Sequence, residues 1–381
     1  MEGAYAVRHK VEVSADAKVK EPLQALNAIC PYYTMFPLEF PLRVLSGRAK
    51  RNGWVADPFC GRGTTNFAAR LLGLPSFGVD SSPVAVALTQ AKLADARASD
   101  VVRVTKAILR SMPRRVSVPE GEFWELAFES SVLQRICWFR QELLRECSSD
   151  ARLLLRAILL GALHGPLTKK VVSHLSNQSP RTFAPKPDYA VRFWRERQMK
   201  PPAVDIAEVV GVRARRYLTR RPKSTPAHVV LGDSRNSEMF NSYRFQWIIT
   251  SPPYYGMRTY IPDQWLRNWF LGGPAEVTYR PPTLELGHSS ADAFADNLRQ
   301  VWKNVAIHAA DDARLVIRFG GIDDRNVDHF ALLKISLVDS GWKLETTISA
   351  GDANRGRRQA RQFSHGGPGP KEEYDFHCVR A

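Results

Sequence analysis

Cysteine is scarce in this chain of 381 residues: Cys30, Cys60, Cys137, Cys147 and Cys378 are scattered, with no C-x-x-C pair. That offers neither zinc-ligand spacing nor a disulfide framework, and it points to a reducing compartment. No stretch approaches the roughly 18 apolar residues of a membrane span, and the opening MEGAYAVRHKVEVSADAK lacks the apolar centre of a signal segment. A soluble, cytoplasmic protein with no membrane partner is expected. The Gly-Lys-Ser/Thr of a phosphate-binding loop is missing, as is the glycine spacing of the dinucleotide fingerprint, which disfavours an ATPase and a dehydrogenase. Acidic residues are outnumbered, 38 Asp plus Glu against 54 Lys plus Arg, for a net charge of +16. Such an imbalance points to a polyanionic partner, with nucleic acid first. Apolar residues are not lacking: 44% hydrophobic and 10% aromatic content suffices for a core in one large domain or two.

The stretch WIITSPPYYG, from Trp247 to Gly256, carries the most chemistry. Trp247, Ile248 and Ile249 read as a strand buried on both faces, which puts Ser251, Pro252, Pro253 and Tyr254 at its carboxyl end. Ligands bind at that edge of an open α/β sheet. The two prolines remove two backbone donors and hold the chain extended, leaving their carbonyls free to accept. A planar group with an amino substituent fits: the Ser251 hydroxyl and the Pro252 carbonyl accept its two N–H protons while Tyr254 stacks on the ring. A nucleobase has that form, although a strand ending in a plain Pro-Pro turn has the same letters.

Upstream, WVADPFCGRGTTNFAARLLG reads as a strand ending at Asp57, a turn with Gly61 and Gly63, and a helix that Thr64 and Thr65 can cap. The glycines let a ligand approach the backbone, and the helix N-terminus favours a carboxylate. LPSFGVDSSPVAVALTQAKLADA repeats the pattern, with a second strand ending at Asp80 and a helix from about Pro83. An acid there, some 20 residues beyond the turn, suits ribose hydroxyls. Before the first strand, YYTMFPLEFPLRVLSG breaks at Pro37 and then offers Leu38, Leu42 and Leu45 at helical spacing.

DPFCGRGTT resembles the S-adenosylmethionine-binding motif, usually DPFxGSGTT, of the DNA amino methyltransferases that modify cytosine N4 or adenine N6. TSPPY resembles their catalytic motif in its serine form, more typical of the cytosine N4 enzymes, and MFPLEFP resembles their flanking cofactor motif. Arg62 stands where the family usually has serine, with both glycines kept. The resemblance implies a Rossmann-like methyltransferase fold: a mostly parallel seven-stranded sheet with helices on both faces. It implies S-adenosylmethionine as cofactor. Phe36, Asp57, Pro58, Phe59, Gly61, Gly63 and Thr64 would surround its methionine end, Asp80 and Ser81 its ribose, and Asp233, closing HVVLGD, its adenine. It also implies Ser251, Pro252, Pro253 and Tyr254 as the catalytic residues.

Residues 1–28 read as a polar arm, 29–98 as the cofactor-binding half, 99–225 as an insertion and 226–381 as the catalytic half. The insertion looks helical in VVRVTKAILRSM, FWELAFESSVLQRICWFRQELLREC and ARLLLRAILLGALHG. Its second part interleaves Arg181, Lys186, Arg192, Arg195 and Arg197 with Phe183, Tyr189, Phe193 and Trp194, a composition suited to phosphate contact and base stacking. Residues 101–225 hold 24 Lys plus Arg against 11 Asp plus Glu, most of the chain's positive excess. Beyond the SPPY strand end, Trp265, Trp269 and Phe270 read as a helical packing stripe, and Arg258 and Tyr260 as substrate contacts. A helix over 290–310, a strand from Arg314, a helix near 329–340 and strands in KLETTIS and YDFHCVR follow. Between the last two, a basic loop with Arg355, Arg357 and Arg358 is placed to clamp a phosphate backbone.

The implied reaction is methyl transfer to the exocyclic amine of a flipped base in DNA, cytosine N4 ahead of adenine N6, in a nucleoid-associated protein. The cofactor half precedes the catalytic half, unlike the order in many cytosine N4 enzymes. Carbon-5 methylation is disfavoured, since it needs a Pro-Cys pair and none occurs. An RNA amino methyltransferase and an inactive nucleic-acid-binding subunit are the alternatives. Recognition sequence and any restriction or defence partner are not legible.

Overall fold

The computed structural model describes residues 21–32, 36–165, 174–179, 187–240, 242–256, 261–277, 286, 290–320, 327–352 and 372–381. The described chain opens with a helical turn α1 (Glu21–Gln24), a 3-10 turn (Ala25–Ala28) and helix α2 (Glu39–Leu45). Residues 21–28 are docked and not part of a loose arm, because Leu26 joins Ile29 and Cys30 in the core, outweighing the polar composition around them.

Strand β1 (Trp54–Asp57), helix α3 (Thr64–Leu71), strand β2 (Ser76–Asp80) and helix α4 (Pro83–Leu93) then alternate. The cap of α3 is Gly63 with φ 73°; Thr64 and Thr65 lie inside its first turn. The Thr65 hydroxyl donates instead to the Ile249 carbonyl at 3.0 Å, a tertiary partner stronger in its claim than the local cap. Helix α4 starts with Pro83 at a position where no backbone donor is needed, behind Ser82, whose hydroxyl accepts from the Ala85 N–H.

Among the described residues, six helices follow before the next strand: α5 (Ala98–Arg110), α6 (Glu122–Ala127), α7 (Ser130–Arg145), α8 (Asp150–Ala162), α9 (Pro187–Glu196) and α10 (Ile206–Tyr217). The apolar periodicity of 123–147 suggests one helix, but α6 and α7 are separate. Glu129 breaks it by capping α7, its carboxylate accepting from the Ser131 and Val132 N–H groups. These helices bury Phe139, Leu155, Ile158, Trp194 and Val210 in one apolar core with Phe67 of α3 and Leu88 of α4. Helices α5 to α10 are thus packed onto α3 and α4.

Strand β3 (Ala227–Leu231), strand β4 (Phe245–Thr250), helix α11 (Ile261–Phe270), helix α12 (Ala291–Ile307), strand β5 (Ala309–Phe319), helix α13 (His329–Leu337), strand β6 (Trp342–Asp352) and strand β7 (Glu372–Arg380) complete the chain. The strands form one seven-stranded sheet in the order β3-β2-β1-β4-β5-β7-β6. All neighbours are parallel as far as β5, and β7 runs antiparallel to both β5 and β6. This is the Rossmann-like, mostly parallel sheet expected.

Period-2 alternation sends Ala56, Ile248, Leu315 and Ile317 to the face covered by Leu298 and Trp302 of α12 and Leu333 of α13. Val55, Trp247, Ile249 and Val316 face the other way, onto Phe40 and Val44 of α2 and Ala69 of α3. Both faces of β1 and β4 are buried, and each of these strands ends on a polar residue, Asp57 and Thr250. From β1 the chain proceeds outward through β2 to β3, then returns to place β4 on the opposite side of β1. The order reverses between β1 and β4, and the carboxyl ends of strands at such a reversal are where ligands bind in open α/β sheets.

Candidate active site

Asp57 and the stretch Ser251–Tyr254 lie side by side at those carboxyl ends. Parallel pairing of Val55 with Trp247 and Ala56 with Ile248 brings the end of β1 level with the end of β4. The Thr250 hydroxyl donates to Asp57 Oδ1 at 2.6 Å, and the Phe59 N–H donates to the same oxygen at 3.1 Å. Asp57 is fully buried, and Oδ2 has no hydrogen-bond partner among the described residues. Burial pushes its carboxyl up to about 7, against the pull of the Thr250 hydrogen bond. A buried carboxyl oxygen without a donor fits a cationic amino group supplied from outside the chain.

The turn after β1 is shaped for backbone approach. Gly61 and Gly63 have φ of 50° and 73°, and a Cβ on Gly63 would lie 2.7 Å from Thr89 Cγ2. Thr89 in turn donates its hydroxyl to the Gly61 carbonyl at 3.0 Å, clamping α4 to the turn. The Gly61 N–H donates to Asp80 Oδ2 at 2.8 Å, and the Ser82 N–H to Asp80 Oδ1 at 2.9 Å. Burial raises the Asp80 carboxyl to about 6. Half-buried Ser81 follows Asp80 directly. Tyr32 sits beside Asp80 and Ser82, its hydroxyl held well above the ordinary range by burial and then by the Asp80 charge.

Pro58 offers its carbonyl to the buried Ser234 hydroxyl at 2.5 Å, and Phe59 packs edge-on against Trp302. Phe36 lies edge-on to Phe40, with ring centres 5.4 Å apart, under the end of the sheet. Thr64 is buried in the first turn of α3. Arg62 points into the interior, where burial lowers it to about 10. Asp233 lies two residues beyond β3. It takes the Arg235 N–H in a local turn, and the Arg235 guanidinium spans both its carboxyl oxygens at 2.6 to 3.0 Å. The turn function and the strand-end position therefore coexist at Asp233.

At the β4 end, Pro252 is buried and Ser251, Pro253 and Tyr254 are half-buried. The Tyr254 ring meets Phe319 edge-on at 5.4 Å, and its hydroxyl donates to Glu373 Oε1 at 2.5 Å. Thr250 is adjacent to the motif in sequence. Tyr32, Ser234 and Glu373 carry no local signal and are assembled only by the sheet.

The basic stretch divides. Trp194 is 0% exposed, with its indole N–H donating to the Gln178 carbonyl at 3.0 Å, and Phe193 is also buried. The expectation that these two rings stack on bases is therefore corrected: α9 is amphipathic, and its aromatic stripe faces the core. Arg192, Arg195 and Arg197 are exposed. Arg195 is paired with Glu122 and Arg197 with Glu196 at 3.4 Å, and the Arg197 guanidinium lies 4.0 Å from the Phe193 ring centre. Trp265, Trp269 and Phe270 are buried, as a packing stripe requires. Arg181, Phe183, Lys186, Arg258, Tyr260, Arg355, Arg357 and Arg358 lie outside the described residues.

Comparison with known proteins adds a partial family match. The family described as DNA methylase, of the N6/N4 methyltransferase type, matches residues 11–91, which include the turn and Asp80 but not the SPPY stretch. No curated protein sequence matches the chain. Among solved structures, an rRNA methyltransferase, aviRa from Streptomyces viridochromogenes, is 14% identical, with 99% of this chain and 96% of that chain covered and a TM-score of 0.36. Magnesium protoporphyrin IX methyltransferase from Synechocystis PCC 6803, solved with bound SAM, is 10% identical over 90% of this chain and 78% of that one, with a TM-score of 0.35. TehB from Haemophilus influenzae is 7% identical over 92% and 64%, with a TM-score of 0.36. These are distant likenesses. No helix among the described residues is long and apolar enough to cross a membrane.

Proposed function

We propose that this protein is a DNA amino methyltransferase that uses S-adenosylmethionine and acts on the exocyclic amine of a base drawn out of the duplex, cytosine N4 first and adenine N6 second. The observation that carries the reading is the 2.6 Å hydrogen bond from Thr250 to Asp57, which fixes the nucleobase-sized motif beside the glycine turn. The partial match to the DNA methylase family and the basic excess of residues 101–225 support nucleic acid as substrate.

S-adenosylmethionine would supply a methyl group already activated on a sulfonium. Asp57 Oδ2 would take its amino group, the backbone at Gly61 and Gly63 would lie along its methionine end, and Asp80 would take the ribose hydroxyls. Asp233, with Arg235 across it, would stand at the adenine edge. An exocyclic amine is a poor nucleophile because its lone pair is delocalised into the ring. Accepting its N–H protons on the Ser251 hydroxyl and the Pro252 carbonyl turns that lone pair out of the ring plane, and Tyr254 fixes the plane. The surplus proton of the alkylated nitrogen is acidic enough to pass to Ser251 or to water. Positioning does most of the work, and no strong base is needed.

The test is to incubate the protein with methyl-labelled S-adenosylmethionine and unmethylated plasmid DNA, with total RNA in parallel, and identify labelled nucleosides by mass spectrometry. Label on N4-methylcytosine is expected. Label on N6-methyladenine moves the target base, label only in RNA moves the substrate, and cofactor binding without label removes the activity.

A further inference from the structure

We infer that Glu373 is a positioning residue for the target base, acting through Tyr254; this rests on the proposed function. Tyr254 extends from the end of β4 across the end of β5. Its ring edge is set by Phe319, and its hydroxyl reaches Glu373 at the start of β7. A distance of 2.5 Å is at the short, strong end of O–H···O hydrogen bonds. Glu373 is only 4% exposed, so water competes little for either partner.

Three features fix Glu373 in place. Strand β7 is antiparallel to β5, so its first residues lie at the edge where the parallel strands end. Two residues along, on the same face, Asp375 is buried and receives the Arg318 guanidinium at 2.7 and 2.9 Å, locking the register of β7 against β5. Opposite Glu373, Gly320 directly follows the end of β5, and a Cβ there would come 3.0 Å from Glu373 Cγ. The missing side chain at Gly320 gives the carboxyl its path to Tyr254.

A stacking platform that swings about its Cα–Cβ bond does not define a base plane. Tying the hydroxyl to a buried carboxyl removes that freedom before substrate arrives, so Glu373 contributes to turnover more than to cofactor affinity.

The experiment compares wild type with Glu373→Ala, Glu373→Gln and Gly320→Ala in the methyl-transfer assay and by NMR of ring-labelled [ε-13C]tyrosine, with the Tyr254 signal assigned by Tyr254→Phe. Glu373→Ala is expected to lower kcat about 10- to 100-fold with the KM for S-adenosylmethionine unchanged. Glu373→Gln, which keeps an acceptor, recovers most of the loss, and Gly320→Ala loses a few-fold. The Tyr254 signal alone among the tyrosines near this edge shifts in Glu373→Ala and returns toward wild type in Glu373→Gln. An unmoved Tyr254 signal overturns the inference whether or not methyl transfer is seen, and so does an unchanged kcat with a shifted signal. A wild type that transfers no methyl group to DNA or RNA overturns the function itself, and with it a role for Glu373 in turnover, even if the NMR shift upholds the contact.

Discussion

At the scale of single residues, Asp57 is the most consequential. Its identity is plain in DPFCGRGTT, but its state is not: that depends on complete burial and on a hydroxyl from a strand 193 residues away. The folded carboxyl sits near 7 against an ordinary 3.8, so below about pH 7 it is protonated and neutral, and above that it is ionised. A cationic amino group is attracted only by the ionised form. Affinity for S-adenosylmethionine is expected to rise about tenfold between pH 6 and pH 8, and Asp57→Asn to flatten that rise. Isothermal titration at the two pH values measures it. The stability of the ligand-free protein has the opposite sign. The unfolded chain gives up this proton near 3.8 while the folded chain holds it to about 7, so stability falls as pH rises through that window. Asp80, raised to about 6, adds to the same trend. Thermal melts from pH 4 to pH 8 would expose a stability that rises instead.

At the scale of elements, the turn between β1 and α3 couples sequence to function most tightly. Gly63 is required twice, once for φ 73° and once because a Cβ would press into Thr89, which holds the neighbouring Gly61 carbonyl. Gly63→Ala is expected to cost about 1–3 kcal/mol from the backbone alone, with further loss from the contact. Urea unfolding reads the stability, and an undiminished midpoint would contradict the geometry of the turn. Local pattern was a good guide to such elements and a poorer one to their ends. Thr64 and Thr65 have the chemistry of caps, yet the cap is Gly63, because the Thr65 hydroxyl found the Ile249 carbonyl. The aromatics of α9 likewise match a stacking surface in composition, but their spacing buries Phe193 and Trp194.

At the scale of the whole molecule, charge is the property that composition alone assigns, and its use depends on which cations remain uncommitted. On the proposed function, Arg192→Ala should reduce the slope of log affinity against log salt for DNA by about 1. Arg195→Ala and Arg197→Ala should reduce it less, because Glu122 and Glu196 already pair with those side chains. Fluorescence anisotropy over a salt series decides this, and equal effects at all three positions would contradict the pairing. The sequence by itself determined the alternation of strands and helices and the two motifs, because apolar period and turn chemistry act over a few residues. Only the tertiary structure decided that the two motifs lie at adjacent strand ends. It also decided that Leu26 and helices α5 to α10 pack into the same core, and that Glu373 reaches Tyr254 across 119 positions of chain. Those outcomes depend on sheet order and on the antiparallel direction of β7, which are set by the packing of distant faces and leave no trace in any local window.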